Sequence, residues 1–294
     1  PPELDSAWST GQAIMGHAAV TDLATGRHVF SELLYRAAPL LGGFPDAPDP
    51  RLAWSRAPAG TDGTWTLSWT GEAFAFTAVD ESRDVGIDLT AEPIRPVVLH
   101  GEGGLSTKGP AAGNASLYYS FPRMATTGEI ALDGERRAVR GTSWMDKEIA
   151  SNALAPDQVG WDWFSLRLED GRDLMLYALR RADGTVDHAT GTLVGVDGSA
   201  RPLEGEAFEI EATGSWTSPV TGSVYPSGWR IAVPSAGIEL AVEPVVEAQE
   251  NVSELLPDLH YWEGVVVARD AAGRVAGRGY VELTGYGEDS RPAL

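Results

Sequence analysis

Hydrophobic and polar residues alternate along most of the chain, in short runs separated by turn residues. Thr64–Trp69 alternates in this way, and Phe74–Thr77 does so after the Gly71-Glu72 turn. Alternation with a period of two is typical of strands that bury one face. Helical periodicity is nearly absent, and the best candidates for short helices are Ser31–Ala37 and Glu247–Leu256. The pattern therefore predicts a chain built mainly of β-strands.

Pairs of alternating runs joined by tight turns predict several β-hairpins. Asp-Gly dipeptides occur at 133–134 and 170–171, and this dipeptide between alternating runs is a strong hairpin signal. The predicted strand pairs are 128–132 with the run that ends at Trp144, 163–168 with 174–179, 229–233 with 238–246, and 261–269 with 275–283. No fixed-period repeat is evident, which argues against a propeller. Many short strands with regular turns predict an all-β barrel or sandwich.

The length of the chain indicates more than one domain. Its 294 residues exceed the usual size of a single domain. A break in the pattern near Ala153–Asp157 divides the chain into halves that each read as one β unit. We therefore predict an N-terminal β domain at 1–155 and a C-terminal β domain at 156–294.

Charge and composition exclude several classes of partner. The formal net charge of −20 repels phosphate groups, so we expect no binding to nucleic acid or to an anionic membrane surface. No apolar run is long enough to span a bilayer, which predicts a soluble chain without membrane insertion. Export after removal of a signal peptide and a cytoplasmic location both stay open. The oligomeric state is not indicated by the sequence.

The sequence lacks the motifs of the common cofactor and metal chemistries. There is no cysteine, and the histidines at 17, 28, 100, 188 and 260 have no metal-ligand spacing, so we predict no metal site. His17 is interpreted as a structural histidine. Neither a Gly-x-Ser-x-Gly elbow nor a Gly-rich nucleotide loop is present. We therefore expect no cofactor.

Three segments together resemble a known family. They are Tyr118–Met124 followed by Gly141–Glu148, then Gly160–Leu166 running into Asp170–Tyr177, and finally Tyr261–Gly264 followed by Gly279–Tyr286. In this order and spacing the chain resembles the carotenoid 1,2-hydratase (hydroxyneurosporene synthase) family from about His17 to Tyr286. That family includes many bacterial proteins labelled predicted secreted hydrolases, and fungal pericyclases.

The resemblance implies two lipocalin-like antiparallel β-barrel or sandwich domains in tandem that hold an apolar ligand. It also implies a cofactor-independent hydratase acting on an isoprenoid or polyene. The acidic-Trp-Trp-Tyr strand with which family members open has no counterpart upstream of Met15. We therefore expect the family's pocket to be incomplete in this sequence.

Candidate catalytic residues lie in the segment Trp144-Met145-Asp146. If this segment is a strand, Trp144 and Asp146 share one face, so an indole and a carboxyl lie together. A buried carboxylic acid can protonate an alkene, and aromatic faces stabilise the resulting cation. By the resemblance, Asp146 is the proton donor. The alternative is a solvated charge at a strand end, beside Lys147 and Glu148.

Further residues are candidates for contact with the ligand. They are Tyr118, Tyr119, Trp161, Trp163, Tyr177, Trp262 and Glu263. Trp161 and Trp163 share a strand face, where core packing is the alternative to ligand contact. Glu263 is a second candidate for a buried carboxylate, and its alternative role is a hydrogen-bond acceptor at a barrel end.

Three functions are therefore open. The first is hydration of an apolar carbon–carbon double bond, the second is non-catalytic binding of a lipid-like molecule, and the third is a pericyclase or isomerase reaction. An Asp146 buried against aromatic rings favours the first, and a site without buried ionisable groups favours the second. A broad site lined by Tyr and Trp donors, with the carboxylates outside, favours the third.

Overall fold

The computed structural model of the chain describes residues 10–109, 113–150 and 154–287. Across these residues the elements are β-strands, apart from two short 3-10 turns at Gly205–Ala207 and Pro234–Ala236. The antiparallel sheets curl, so the predicted all-β, lipocalin-like fold class is confirmed. No helix in the described part of the chain has the length and apolar character needed to cross a membrane.

The strands before residue 151 form a pair and a nine-stranded sheet. They are β1 (Ala13–Asp22), β2 (Arg27–Arg36), β3 (Gly42–Gly43), β4 (Arg51–Arg56), β5 (Thr64–Trp69), β6 (Phe74–Asp80), β7 (Val85–Pro93), β8 (Val98–Leu99), β9 (Leu105–Thr107), β10 (Ala115–Leu132) and β11 (Glu135–Ala150). Strands β1 and β2 pair with each other. The larger sheet has the order β11-β10-β7-β6-β5-β4-β3, and β8 and β9 pair with β10.

The strands after residue 154 form a ten-stranded sheet and a pair. They are β12 (Gln158–Leu168), β13 (Asp173–Arg181), β14 (Val186–Val194), β15 (Ala200–Glu204), β16 (Glu209–Ala212), β17 (Ser215–Thr217), β18 (Val224–Pro226), β19 (Trp229–Val233), β20 (Ile238–Pro244), β21 (Glu250–Val252), β22 (His260–Arg269) and β23 (Val275–Thr284). The sheet order is β15-β14-β13-β12-β23-β22-β20-β19-β16, with β21 beside β22, and β17 pairs with β18.

The chain forms two compact units, each containing stretches distant in sequence. Unit 1 comprises the described residues of Pro1–Ile94 and Arg123–Ser143, and unit 2 comprises those of Arg95–Pro122 and Trp144–Leu294. The long strands β10 and β11 contribute to both units. The contact pattern thus groups 95–122 with the C-terminal half, and the domain division at residue 155 stays a prediction. Ala153, in the predicted break, lies outside the described residues.

The predicted hairpins are confirmed. Asp133 and Gly134 join β10 to β11 with positive φ angles of 54° and 75°, as a type I′ turn requires. The three other predicted pairs are β12 with β13, β19 with β20, and β22 with β23. The two alternating runs at Thr64–Trp69 and Phe74–Thr77 also pair, as β5 with β6.

The first predicted helix is wrong. Ser31–Ala37 lies almost entirely in β2, which pairs with β1 along its whole length. The hydroxyl of Ser31 also donates a 2.6 Å hydrogen bond to the buried carboxylate of Asp80 on β6. Periodicity alone cannot assign a short apolar run to helix or strand, and pairing with β1 decides the outcome here.

The second predicted helix, Glu247–Leu256, is also wrong. Its residues Glu250–Val252 form β21 and pair with β22. The side chain of Gln249 packs against Gly264, where a Cβ atom would lie only 2.2 Å from the amide nitrogen. The carbonyl of Glu247 accepts a 2.6 Å hydrogen bond from the indole of Trp262. These tertiary contacts hold the segment against β22.

The main apolar core belongs to unit 2 and lies on one face of the ten-stranded sheet. Alternate residues of β12, β22 and β23 point into it, among them the fully buried Phe164, Leu166, Val266 and Val281. We call this side of the sheet the core face. Because side chains alternate along each strand, the intervening residues lie on the opposite face.

Candidate functional site

The opposite side of the ten-stranded sheet, here called the site face, carries aromatic and acidic residues. Strand register places Tyr177, Trp163, Glu282 and Glu263 in one row across β13, β12, β23 and β22. Residues directly opposite each other in antiparallel strands project to the same side, so these four side chains share this face. Trp161, Leu179, Tyr261 and Tyr280 extend the site face along the same strands.

Polar residues from the 95–122 segment of unit 2 contact this face. The indole N–H of Trp163 donates to the hydroxyl of Tyr118 on β10, at 2.9 Å. The hydroxyl of Tyr177 lies 3.0 Å from that of Ser106 on β9, and the ammonium of Lys108 lies 4.0 Å from the centre of the Tyr177 ring. Tyr118, Ser106 and Lys108 are all buried.

Asp146 reaches the same cluster from β11. Its Oδ1 accepts hydrogen bonds from Tyr118 Oη, at 3.1 Å, and from Ser120 Oγ. Trp144, two residues earlier, meets Trp163 edge to face with ring centres 6.3 Å apart. The predicted sharing of a face by Trp144 and Asp146 therefore brings both to the aromatic rings of β12.

Burial raises the pKa of Asp146 to about 6. Hydrogen bonds from Ser120 and Tyr118 oppose this shift, and the charge of Glu148 adds to it. The indole N–H of Trp144 also favours the ionised carboxylate, although it lies outside hydrogen-bond geometry. Asp146 as a whole residue is nevertheless exposed, so its carboxyl is packed among other groups and remains reachable by solvent.

A chain of hydrogen bonds through buried residues leads to Asp146. His100 lies between Thr192 and Ser120, with Nδ1 at 2.8 Å from the Thr192 hydroxyl and Nε2 at 2.6 Å from the Ser120 hydroxyl. Burial, and then the charge of Lys108, lower the pKa of His100 to about 3, so the ring is neutral and has one N–H.

The direction of donation along this chain of hydrogen bonds follows from counting the hydrogens that each group can donate. The Ser120 hydroxyl donates to Asp146, so it accepts from Nε2–H of His100, and Nδ1 of His100 accepts from Thr192. Each donor therefore points toward Oδ1 of Asp146. The second carboxyl oxygen, Oδ2, is left to carry the proton of the acid.

Glu148 and Lys108 form an ion pair at the margin of this cluster. Ser116 on β10 also donates to Glu148. The Lys108 side chain is buried, whereas that of Glu148 is 41% exposed, so the ammonium is held inside by its carboxylate partner and by the rings of Tyr118 and Tyr177.

Two further carboxyls meet on the site face. Glu263 and Glu282 are direct register partners on β22 and β23. Trp161 Nε1 donates to Glu282 at 3.0 Å, and Asn251 Nδ2 lies 3.4 Å from Glu263. Burial raises the pKa of both carboxyls above the ordinary value, and the charge of Glu263 raises that of Glu282 further.

The structure brings most of the sequence-predicted residues together, and it separates two of them. Asp146, Trp144, Tyr118, Trp161, Trp163, Tyr177 and Glu263 all belong to the cluster or to the site face described above. Tyr119 projects to the other side of β10 from Tyr118, where it contacts Phe121. Trp262 is buried in the apolar core on the core face.

Sequence reasoning missed His100, Lys108, Ser120 and Glu282. Glu282 lies inside a recognised segment, but only the register between β22 and β23 places it opposite Glu263. The residues on β8 to β10 reach the site through long-range pairing that no local pattern indicates. Within the described ranges, no group of three or more His, Cys, Asp or Glu residues is arranged to hold a metal ion.

Comparison with known proteins identifies the family. Residues 1–286 match the profile of the AttH-like family. The crystal structure of a protein assigned as AttH from Nitrosomonas europaea is similar, with a TM-score of 0.80 and 32% identity over 93% of this chain and 82% of that one. A search of curated proteins finds no match.

Two more distant structures share the fold. Kievitone hydratase from Nectria haematococca has a TM-score of 0.70 and 18% identity over 93% of this chain and 80% of that one. CghA has a TM-score of 0.53 and 12% identity over 90% of this chain and 78% of that one. The resemblance found in the sequence is thereby confirmed. This chain belongs to the AttH-like family.

Proposed function

We propose that this protein binds an apolar isoprenoid or polyene-like molecule and hydrates one of its carbon–carbon double bonds, with Asp146 as the acid. The observation that carries the proposal is the arrangement of hydrogen bonds at Asp146. Tyr118 and Ser120 both donate to Oδ1, so Oδ2 is the oxygen available to hold and deliver a proton. The surrounding rings provide an apolar environment for an alkene.

The electrostatics of Asp146 suit a general acid. A catalytic acid works best when its pKa lies near the operating pH, and burial brings that of Asp146 to about 6. Transfer of the Oδ2 proton to one alkene carbon leaves a carbocation on the other. Water then adds to the cation and loses a proton, which gives an alcohol. This sequence of steps uses protein groups and water alone.

The aromatic residues suit the cation that follows protonation. Trp144, two residues before Asp146, packs against Trp163, and Trp163 is joined to Asp146 through the hydroxyl of Tyr118. The electron-rich faces of such rings attract positive charge. The name of kievitone hydratase agrees with this reaction class, but at 18% identity its likeness supports the fold alone. Support for this reaction therefore comes from the residues around Asp146 and from the resemblance of the sequence.

The proposal is tested with Asp146→Asn and with Glu135→Gln, an exposed control on the same strand. Lycopene, an acyclic polyene, serves as the probe. The products are extracted and their masses are measured by mass spectrometry. We expect the wild type and the control to add the mass of one water. Asp146→Asn should be slower by about 10²–10⁴-fold, because removal of a general acid costs this much.

Native mass spectrometry of the same samples separates the alternatives. If the wild type and Asp146→Asn both hold lycopene without changing it, the protein is a carrier. An isomer of unchanged mass, formed equally by both, would indicate the isomerase reaction. Equal hydration by both proteins would contradict the role of Asp146.

A further inference from the structure

Glu263 and Glu282 have no part in the protonation step described above, although both lie on the site face. They are opposed in register on adjacent antiparallel strands, where facing Cβ atoms lie about 4.5–5.5 Å apart. Glu282 is also the register partner of Trp163, whose N–H donates to Tyr118, which in turn donates to Asp146. The pair therefore stands one strand away from the hydrogen-bonded cluster around the acid.

We propose that Glu263 and Glu282 hold one proton between them and form a second acid–base group of this site, which accepts the proton of the water added to the substrate. The shared proton is an inference from the pair alone. Its role in hydration rests on the proposed function.

The surroundings of the pair oppose full ionisation. Like charges at this separation disfavour each other, and burial disfavours both of them. The titratable and charged groups that face the pair are Tyr261 and Tyr280 on its own strands, and Asp146 and Glu148 on β11. The ammonium of Lys108 is paired with Glu148. The charges that act on Glu282 are thus negative, and a single bound proton relieves their repulsion.

Hydrogen bonds favour a charged Glu282 within the pair. The indole N–H of Trp161 donates directly to Glu282 at 3.0 Å, whereas the amide of Asn251 lies 3.4 Å from Glu263. The charges of Glu263, Asp146 and Glu148 favour protonation of Glu282 instead, so these opposing effects let either carboxyl hold the proton. The ionised member of the pair is a carboxylate able to accept a proton.

The proton balance of hydration needs such a group. Asp146 loses its Oδ2 proton to the alkene carbon, and the water oxygen forms a bond to the resulting cation. The oxygen then loses one proton to the ionised carboxyl of the pair, which leaves the alcohol, an ionised Asp146 and a doubly protonated pair. Return of one proton from the pair to Asp146 through solvent restores the starting state, so one water is added in each cycle.

The shared proton is tested by NMR titration of protein labelled with ¹³C at the glutamate carboxyl carbons. Glu263→Gln and Glu282→Gln assign the two resonances, and Glu239→Gln, at an exposed position on β20, is the matched control. In the wild type we expect the two resonances to titrate together in two separated steps. In Glu282→Gln, Glu263 should titrate in one step, and its midpoint should lie about one pH unit or more below the upper step of the wild-type pair.

Independent single-step titration of both residues in the wild type, or an unchanged Glu263 in Glu282→Gln, would overturn the shared proton. The catalytic role is measured with lycopene. Glu282→Gln should lower kcat by about 10²-fold with KM unchanged, while Glu239→Gln leaves both unchanged. A wild-type kcat in both Glu263→Gln and Glu282→Gln would overturn that role.

The two proposals fail in different ways. If the wild type does not hydrate lycopene but the two-step titration is present, the proposed function fails and the shared proton stands. If hydration depends on Asp146 but the glutamates titrate independently, the proposed function stands and the pair is not its second acid–base group.

Discussion

The two faces of the ten-stranded sheet are built from alternate residues of the same strands, yet they differ in kind. On the core face, β12 presents Phe164 and Leu166, which pack into a continuous apolar core. On the site face, the same strand presents Trp161 and Trp163, whose N–H groups bind Glu282 and Tyr118. The core face is explained by packing. The site face carries partly buried carboxyls, and the segment packed near it buries a lysine and a histidine, at a cost that packing does not repay. The proposed function rests on this contrast.

The largest expected effect on stability comes from the core face. Phe164→Ala should lower the free energy of unfolding by about 3–5 kcal/mol, because it removes a fully buried ring and leaves a cavity. Chemical denaturation measures the change. The matched variant on the other face is Trp163→Phe, which loses one hydrogen bond and should cost only about 1 kcal/mol. Equal losses for the two variants would contradict the difference between the faces.

A second prediction concerns the acidity of Asp146. Ser120→Ala removes a hydrogen bond that favours the ionised carboxylate, so the pKa of Asp146 should rise above about 6. An acid that must be protonated works up to its pKa, so the descending limb of the pH–rate profile should move to higher pH. NMR of ¹³C-labelled aspartate carboxyls measures the same shift without substrate.

Ser116→Ala is the matched control for this variant. Ser116 is also buried on the same face of β10, but it donates to Glu148 rather than to Asp146. Its removal should leave the Asp146 titration nearly unchanged. The hydrogen-bond assignment at Asp146 would be wrong if both serine variants shifted its titration equally.

The alternation along β11 and β12 predicted that Trp144 shares a face with Asp146 and that Trp161 shares a face with Trp163, because strand geometry is local. It could not say which strands lie side by side. The pairing of Trp163 with Glu282, and of His100 with Thr192, joins residues far apart in sequence. Asp146 was found because it stands beside Trp144 in a recognised segment. Ser31–Ala37 and Glu247–Leu256 were mistaken for helices because tertiary contacts, rather than periodicity, fix their conformation.

A third prediction uses the pH dependence of stability to separate the faces. The folded-state pKa values of Glu263 and Glu282 are raised, so the folded state binds more protons than the unfolded state above the ordinary glutamate pKa of about 4.3. Stability is therefore lost as the pH rises through the raised values. Glu282→Gln should flatten this loss in a thermal unfolding series, whereas Glu239→Gln should not. A parallel decline in the wild type and in Glu282→Gln would mean that the pair is not protonated when folded.

The smallest expected effect distinguishes two neighbouring tyrosines on β10. Tyr119→Phe removes a hydroxyl on the side of the strand away from Asp146, so stability should change by no more than about 0.5 kcal/mol and the Asp146 titration should not move. Tyr118→Phe removes the acceptor of the Trp163 N–H and a donor to Asp146, so it should raise the pKa of Asp146. Both variants keep the aromatic ring, so any difference between them arises from the hydroxyl alone. A shift in the Asp146 titration with Tyr119→Phe would place Tyr119 in the site, as its sequence context suggested, and would contradict the strand geometry.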